Sequence, residues 1–272
     1  MNRVSNQPAE ASQLNLLPAL SLNKDPLADY RVRESGRAKH VSIRVSTLGE
    51  VEVVVPTGFD QTQLPALLEK RRDWVKKMRS RFEEAAADAP DNWHAQKPET
   101  VLLRWQSDEL EKTANAGEIW SVSYQKGQRD RTQCIPLANN RISVKGNVEE
   151  VSACQAVLRK WLAHRAQRDL SPVLRQLSFE LDLPCRRISI RGQKTRWASC
   201  SSQKDISLNY KLLFLPRPLV RYVFVHELCH TVHMNHSKDF WRLVGEKQPG
   251  YKQWRKHLKS GWRYIPRWVE KT

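Results

Sequence analysis

Two stretches near the start of the chain alternate between apolar and polar residues with a period of two. They occupy residues 41–45 and 51–55, and the Leu48-Gly49-Glu50 segment between them is typical of a turn. This alternation predicts a β-hairpin with one buried face. After Asp60, which is suited to cap a helix, apolar residues recur at helical spacing through Phe82, with mostly Lys and Arg between them. The spacing predicts an amphipathic helix with a basic face.

The remaining sequence mixes short strand patterns with longer apolar helices. Strands are predicted at 101–105, 119–124, 142–144, 188–191, 195–199 and 206–213. Helices are predicted at 149–170, at a second stretch beginning at Pro172, where proline would occupy a first helical turn, and at 219–233. Strands and helices that do not alternate regularly indicate an α+β fold.

The pattern divides the chain into three regions. Residues 1–28 are polar and aperiodic, which predicts a flexible tail. Residues 29–146 form an N-terminal β-rich region that contains the hairpin and one helix. Residues 147–272 contain the long apolar helices, and we expect them to form the catalytic domain because the candidate chemistry lies there.

The chain has a net charge of +17, from 46 Lys and Arg against 29 Asp and Glu. Such a surface attracts nucleic acid or another polyanion, although a basic face with no dedicated anionic partner is equally consistent with it. No segment resembles a signal peptide or a membrane span, so we expect no membrane partner. The five cysteines are widely spaced and odd in number. This argues against a disulfide framework and a cysteine zinc finger, and a cytoplasmic location is the simplest expectation.

The segment His226-Glu227-Leu228-Cys229-His230 carries the most specific chemistry of the chain. Two histidines four residues apart lie on one helix face, so their imidazoles can bind one metal ion. Glu227 lies beside the first ligand, where its carboxylate can act on a metal-activated water without binding the metal. The pattern predicts a catalytic zinc site with Glu227 as the general base.

A catalytic zinc needs a third protein ligand, and two histidines follow closely. On a continuing helix His233 would lie about 10 Å along the axis from His226, too far for ligands of one ion. Asn235 is suited to end a helix and Ser237 to cap the next one, so the chain can turn and bring His236 back. His236 also lies ten residues after His226, as the third ligand does in longer zinc motifs. We therefore predict that His226, His230 and His236 bind Zn²⁺, in preference to a set completed by a distant Glu.

Further motifs surround this segment within residues 194–241. They are Arg196-Trp197, Ser199-Cys200, Leu208-Asn209, Asn235-His236-Ser237 and Phe240-Trp241. Together with the histidine–glutamate motif they resemble the YgjP-like metal-dependent hydrolases, predicted zincin peptidases related to the SprT-like and Wss1-like proteases. The chain departs from that pattern at Ala198, where glycine is usual, and at Cys229, where alanine is common. The resemblance extends back to the hairpin and the basic helix.

The resemblance implies a zincin-like metallopeptidase core, with the metal-binding helix beside a small mixed sheet and an N-terminal hairpin and helix region. In such a core an edge strand pairs with an extended peptide substrate, and residues 206–213 are the candidate for that strand. Glu227 would take a proton from the activated water and pass it to the leaving group. Arg196, Tyr210 and His233 are candidate hydrogen-bond donors to the developing oxyanion. Asn209 would hold the edge strand in place or contact a residue that itself contacts the metal or substrate.

Two other functions remain open at this stage. The same zinc and glutamate could hydrolyse a nucleotide or another phosphoanhydride, helped by a run of cations, Arg186, Arg187, Arg191, Lys194 and Arg196. Alternatively, the metal could be structural in a nucleic-acid-associated protein, which would require a fourth protein ligand.

Overall fold

The computed structural model describes residues 30–45, 49–87, 96–110, 117–127 and 131–270, without the side chains of 81–87. These residues form an α+β structure of three small mixed sheets and six helices. The predicted tail at 1–28 lies outside the described residues. Among the described helices, none is long and apolar enough to cross a membrane.

The first sheet has the order β1-β3-β2, formed by β1 (Tyr30–Glu34), β2 (Ser42–Val45) and β3 (Val51–Val55). Strands β2 and β3 pair antiparallel, with Ile43 opposite Val53, so the predicted hairpin is confirmed. Strand β1 was not predicted, because the strand is short and four of its five residues are exposed. Its parallel pairing with β3 is not visible in a local pattern.

Two helices, not one, follow the first sheet. Asp60 caps a 3-10 turn by accepting a hydrogen bond from the backbone N–H of Thr62. Helix α1 (Leu64–Glu69) then ends at a break, and α2 (Arg72–Ala87) continues with Val75 fully buried. The predicted single helix is wrong at this break, where the backbone N–H of Arg71 bonds to the carbonyl of Leu68.

The second sheet has the order β4-β5-β7-β6. Its strands are β4 (Thr100–Leu103), β5 (Glu118–Lys126), β6 (Gln133–Leu137) and β7 (Arg141–Gly146). Strand β6 was not predicted, because its residues are largely exposed and it carries a proline at the sheet edge. Central strand β7 buries Ile142 and Val144 completely, which fixes its inward face.

Helix α3 (Val151–Glu180) runs unbroken through Pro172. The expectation of a new helix starting at this proline is wrong, because buried residues occur on both sides of it and hold one continuous helix. Leu170 and Leu174 flank Pro172 and are both fully buried. Tertiary packing here outweighs the cost of a proline within a helix, about 3 kcal/mol.

The third sheet has the order β8-β10-β9, with β8 (Ile188–Arg191), β9 (Ala198–Cys200) and β10 (Ile206–Asn209). Strand β10 pairs parallel with β8 and antiparallel with β9. The predicted edge strand at 206–213 is therefore wrong in two respects: β10 is central, and the chain enters a 3-10 turn at Tyr210–Phe214. Strand β9 is the edge strand that packs beside the metal-motif helix.

Three helices complete the chain: α4 (Arg217–Cys229), α5 (Lys238–Lys247) and α6 (Tyr251–Leu258). Two 3-10 turns, Gly261–Tyr264 and Arg267–Val269, follow them. Among the residues that the structure describes, the buried apolar side chains form two separate clusters. The smaller one lies under the first sheet, and the larger one joins the second sheet, α3, the third sheet and the C-terminal helices.

Candidate metal centre

Helix α4 places the first two candidate ligands. His226 lies in its last turn, and His230 is the residue that ends it. The helix forms here because Pro216 and Pro218 start it and its apolar residues are buried on nearly every side. The predicted helix at 219–233 is too long, since α4 ends at Cys229.

The chain turns after α4 and returns the third candidate ligand to the first two. Ser237 caps α5 by accepting the backbone N–H of Phe240, which confirms the predicted cap. His236 precedes this cap, and its Nε2 lies 3.1 Å from Nε2 of His226. One ligand atom from each of His226, His230 and His236 lies within 4.8 Å of the others. Nitrogens that share one ion at about 2.0–2.1 Å lie at most about 4.2 Å apart, so small rotations of the rings would bring all three onto a single ion.

The protonation of the ligands suits a metal. Burial, together with the neighbouring His230, His236 and Arg255, lowers the pKa of His226 to about 3. Burial also lowers the pKa of His230. Both rings are therefore neutral at physiological pH, which is the form of imidazole that binds metals.

A backbone carbonyl orients His230. Its Nδ1 lies 2.9 Å from the carbonyl oxygen of His233, and a carbonyl can only accept, so Nδ1 carries the proton. Nε2 of His230 is thereby left as the ligand atom, an arrangement common around bound metals. His233 thus contributes its main chain to the site, and its imidazole is not among the three grouped ligands. The sequence could not indicate this role, because a backbone carbonyl has no residue signature.

One aromatic side chain supports all three imidazoles. Phe240 is fully buried, and its ring centroid lies 5.0 Å from that of His226, 4.5 Å from His230 and 4.9 Å from His236. Trp241 stacks on the outer side of His236 at 5.5 Å, with Tyr251 stacked in turn on Trp241. The Phe240-Trp241 pair therefore fixes the orientation of the ligand rings.

Glu227 lies beside the histidines but is not one of the grouped ligands. Its side chain is buried, and burial raises the pKa of Glu227 to about 7. The positive charge of Arg196 and a hydrogen bond from the backbone N–H of Cys200 both lower this pKa and limit the rise. The carboxylate therefore faces strand β9 and the segment that precedes it.

The other predicted site residues, Arg196, Asn209 and Tyr210, belong to or contact the segment that precedes β9. Arg196 is exposed and close enough for its charge to act on Glu227. Asn209 is fully buried, and its Nδ2 donates to the carbonyls of Gln193 and Arg196, both at 2.8 Å. Tyr210 is buried against Gly192, with the charges of Arg159 and Glu270 acting on it.

A helix-borne histidine–glutamate motif, completed by a third histidine from the next turn, is a metal site of the kind that metallopeptidases use. The family model described as YgjP-like, metallopeptidase domain, matches residues 39–261. The chain belongs to this family. The match confirms the resemblance to this family that the motifs at residues 194–241 indicated.

Comparisons with solved structures and with curated proteins give one partial match and no match, respectively. Among solved structures, the crystal structure of the metallopeptidase zymogen of Pyrococcus abyssi abylysin matches at 26% identity with a TM-score of 0.30. The match covers 33% of this chain and 90% of that chain. No curated protein matches the chain significantly.

Proposed function

We propose that the protein is a zinc-dependent peptidase with a zincin-like core. His226, His230 and His236 bind Zn²⁺, and Glu227 is the general base. The observation that carries this proposal is the convergence of three imidazoles beside a buried carboxylate that is not one of the grouped ligands.

The number of ligands supports a catalytic metal. A structural zinc is closed by four protein ligands, whereas a catalytic zinc keeps one position open. Within the part of the chain that the structure describes, the group contains three ligands. Cys229 lies inside the motif but is buried in the core and is not part of the group.

The residues of the chain divide the chemistry between them. When bound, zinc supplies Lewis acidity that activates a water molecule and polarises a carbonyl. Glu227 accepts a proton from the attacking water at its carboxylate and donates it to the leaving amine. Arg196 donates to the developing oxyanion. Asn209 holds the segment that carries Arg196, whereas Tyr210 and His233 act through packing and the backbone.

Strand β9 replaces the predicted 206–213 segment as the strand that binds substrate. The backbone N–H of Asn209 bonds to the carbonyl of Trp197, which fixes the alternation of the β9–β10 ladder. In that alternation the main-chain groups of Ala198 and Cys200 point away from β10. The backbone N–H of Cys200 donates a hydrogen bond to the Glu227 carboxylate. The backbone N–H and carbonyl of Ala198 are then the groups that would pair with an extended peptide.

The family match supports a peptide or protein as substrate and gives no support to a nucleic-acid partner. The cytoplasmic location stays a prediction.

The proposal is tested with the Glu227→Gln variant. We expect wild type and variant to bind about one zinc per chain, because Glu227 is not a ligand. Peptide cleavage in a mixed peptide library, followed by mass spectrometry, should fall at least about a hundredfold in the variant. Retained cleavage would remove Glu227 from the role of base, and absence of zinc from both proteins would refute the metal site.

A further inference from the structure

The end of β8 and the segment that joins it to β9 expose three cations beside the candidate metal centre. We call residues 191–196 the cationic loop, with Arg191, Lys194 and Arg196 all exposed. Among the described residues, no carboxylate forms an ion pair with any of the three. The nearby Arg186, in contrast, forms a bidentate pair with Asp205 at 2.9 and 2.8 Å. Asp205 therefore neutralises the charge of Arg186, whereas no described carboxylate neutralises the three charges of the cationic loop.

Buried contacts hold the cationic loop in one shape. Nδ2 of Asn209 donates to the carbonyls of Gln193 and Arg196, so one fully buried side chain holds both halves of the loop. Gly192 lies directly against the Tyr210 ring, where a Cβ atom would come within 2.7 Å of the ring carbon Cε1. The three charges are thus presented on a fixed backbone, which reduces the entropy lost on binding.

The loop leads directly into the edge strand of the site. Arg196 precedes Ala198, the first residue of β9, by two positions, and the backbone N–H of Cys200 meets the Glu227 carboxylate. The end of the loop at Arg196 lies four residues before Cys200, whose N–H bonds to the Glu227 carboxylate. Each residue of an extended strand or substrate advances about 3.3 Å, so a substrate paired with β9 would cover the same distance in about four positions. The long Arg196 side chain covers part of this distance, since its charge acts on Glu227.

We infer that the cationic loop is a specificity subsite for a peptide that carries an Asp or Glu side chain within about four positions of the scissile bond. This inference rests on the proposed peptidase function. An extended substrate that pairs with Ala198 would place its side chains beside Arg196 and Lys194. There an acidic side chain meets unpaired guanidinium and ammonium groups, whereas a basic side chain is repelled.

The observations favour a carboxylate on a peptide over a free phosphate. Phosphate sites use glycine-rich loops whose backbone N–H groups surround the anion. The one glycine of the cationic loop is packed against Tyr210, and the clamping bonds from Asn209 go to carbonyls. The main-chain groups of Ala198 point away from β10, which suits pairing with a peptide backbone.

The inference is tested with zinc-loaded full-length protein and a peptide library derived from a cell lysate. Cleavage sites are read by mass spectrometry, with Glu227→Gln as the blank. A cleaved sequence is then made as a matched pair, with Asp or Asn at the enriched position, and kcat/KM is measured for both. We expect the Asp peptide to be preferred about tenfold at low ionic strength, and the preference to shrink as salt is added.

Three variants assign the preference to the loop. Arg196→Gln, and separately Arg191→Gln combined with Lys194→Gln, should each lower the Asp-to-Asn ratio of kcat/KM by about threefold, whatever their effect on overall rate. Arg191→Glu combined with Lys194→Glu, which leaves the oxyanion donor Arg196 in place, should reverse the preference and favour a Lys peptide. Arg221→Gln is the matched control, because Arg221 is an exposed cation of α4 that faces the groove beside α3, on the side away from the histidines. It should leave the ratio unchanged.

The outcomes separate the two proposals. Glu227-dependent cleavage with equal kcat/KM for the Asp and Asn peptides would overturn the subsite and leave the peptidase function standing. A preference that persists in all loop variants would place acid recognition elsewhere and overturn the subsite as well. Release of phosphate from nucleoside triphosphates without any Glu227-dependent peptide cleavage would overturn the peptidase function, and the inference with it.

Discussion

At the scale of single residues, the site depends on which atom each histidine contributes. His226 and His236 approach through their Nε2 atoms, and His230 is held by a hydrogen bond to the His233 carbonyl. His233 and His236 are only three positions apart, yet one acts through its main chain and the other belongs to the ligand group. Substitution of their side chains should therefore have different effects.

We expect His236→Ala to lose stoichiometric zinc and His233→Ala to keep it. The first change removes a ligand atom, whereas the second keeps the carbonyl that accepts from His230. Zinc per chain is measured by elemental analysis after dialysis against metal-free buffer. If His233→Ala lost the metal and His236→Ala retained it, the third ligand would have to be reassigned.

Phe240 allows a second prediction at this scale. Phe240→Leu should weaken zinc binding about tenfold, because the ring that contacts all three imidazoles is replaced by a smaller, more mobile side chain. Affinity is measured by competition with a chelator of known strength. Phe214→Leu is the matched control, since Phe214 is also buried in the large core but belongs to the 3-10 turn after β10. Equal losses in both variants would indicate general destabilisation only.

The sequence was most informative about residues whose side chains do the chemistry. The histidine–glutamate spacing and the Ser237 cap predicted where the chain turns and which histidine returns. The hydrogen bond from His230 to the His233 carbonyl could not be predicted, because any residue supplies a carbonyl. The contact between Gly192 and Tyr210 was also missed, because it joins residues that are distant along the chain.

At the scale of elements, local patterns predicted most of the strands, missed the exposed β1 and β6, and did not indicate which strands pair with each other. The apolar alternation at 206–209 gave a strand, but its position between β8 and β9 depends on pairings across the fold. The same limit applies to α3, where Pro172 locally favours a helix start. Buried leucines on both sides of Pro172 keep the helix continuous.

Pro172→Ala should stabilise the protein by about 1–2 kcal/mol. Alanine restores a helical N–H and relieves a clash worth up to about 3 kcal/mol, while the greater freedom of the unfolded chain removes about 0.4–1 kcal/mol of that gain. The free energy of unfolding is measured in urea. Val173→Ala, at a neighbouring residue that is 43% exposed, is the control and should change stability by less than about 0.5 kcal/mol. A destabilised Pro172→Ala variant would show that the proline is needed for packing.

At the scale of the whole molecule, one buried ion pair joins the end of the chain to its centre. Nζ of Lys211 lies 2.7 Å from both carboxylate oxygens of Glu270, and Lys211 is 2% exposed. Lys211 follows β10 directly, and Glu270 follows the last 3-10 turn. The pair therefore fixes the C-terminal turns against the segment that holds the cationic loop.

Lys211→Met should cost about 3 kcal/mol of unfolding free energy, because buried Glu270 loses the ammonium that contacts both of its oxygens and keeps only the more distant charge of Arg159. Combining it with Glu270→Gln should cost clearly less than the sum of the single changes, since no lone charge then remains. Urea unfolding of the three variants gives this coupling energy. Additive costs would mean that the two side chains contribute independently and that the pair does not anchor the terminus.

The two separate hydrophobic clusters also determine where the protein can be shortened. The larger cluster contains Val101, Trp120 and Ile142 of the second sheet as well as Phe224 of the metal-motif helix. A fragment beginning at residue 147 would lose these sheet residues and expose the apolar side chains of α3 that pack against them. We therefore expect this fragment to aggregate when it is expressed. A fragment beginning near residue 96 would keep that cluster whole, and would lose the smaller cluster together with the contacts between α2 and the Gly261–Tyr264 turn. Truncation for crystallisation or for biosensor fusion should therefore start between the clusters.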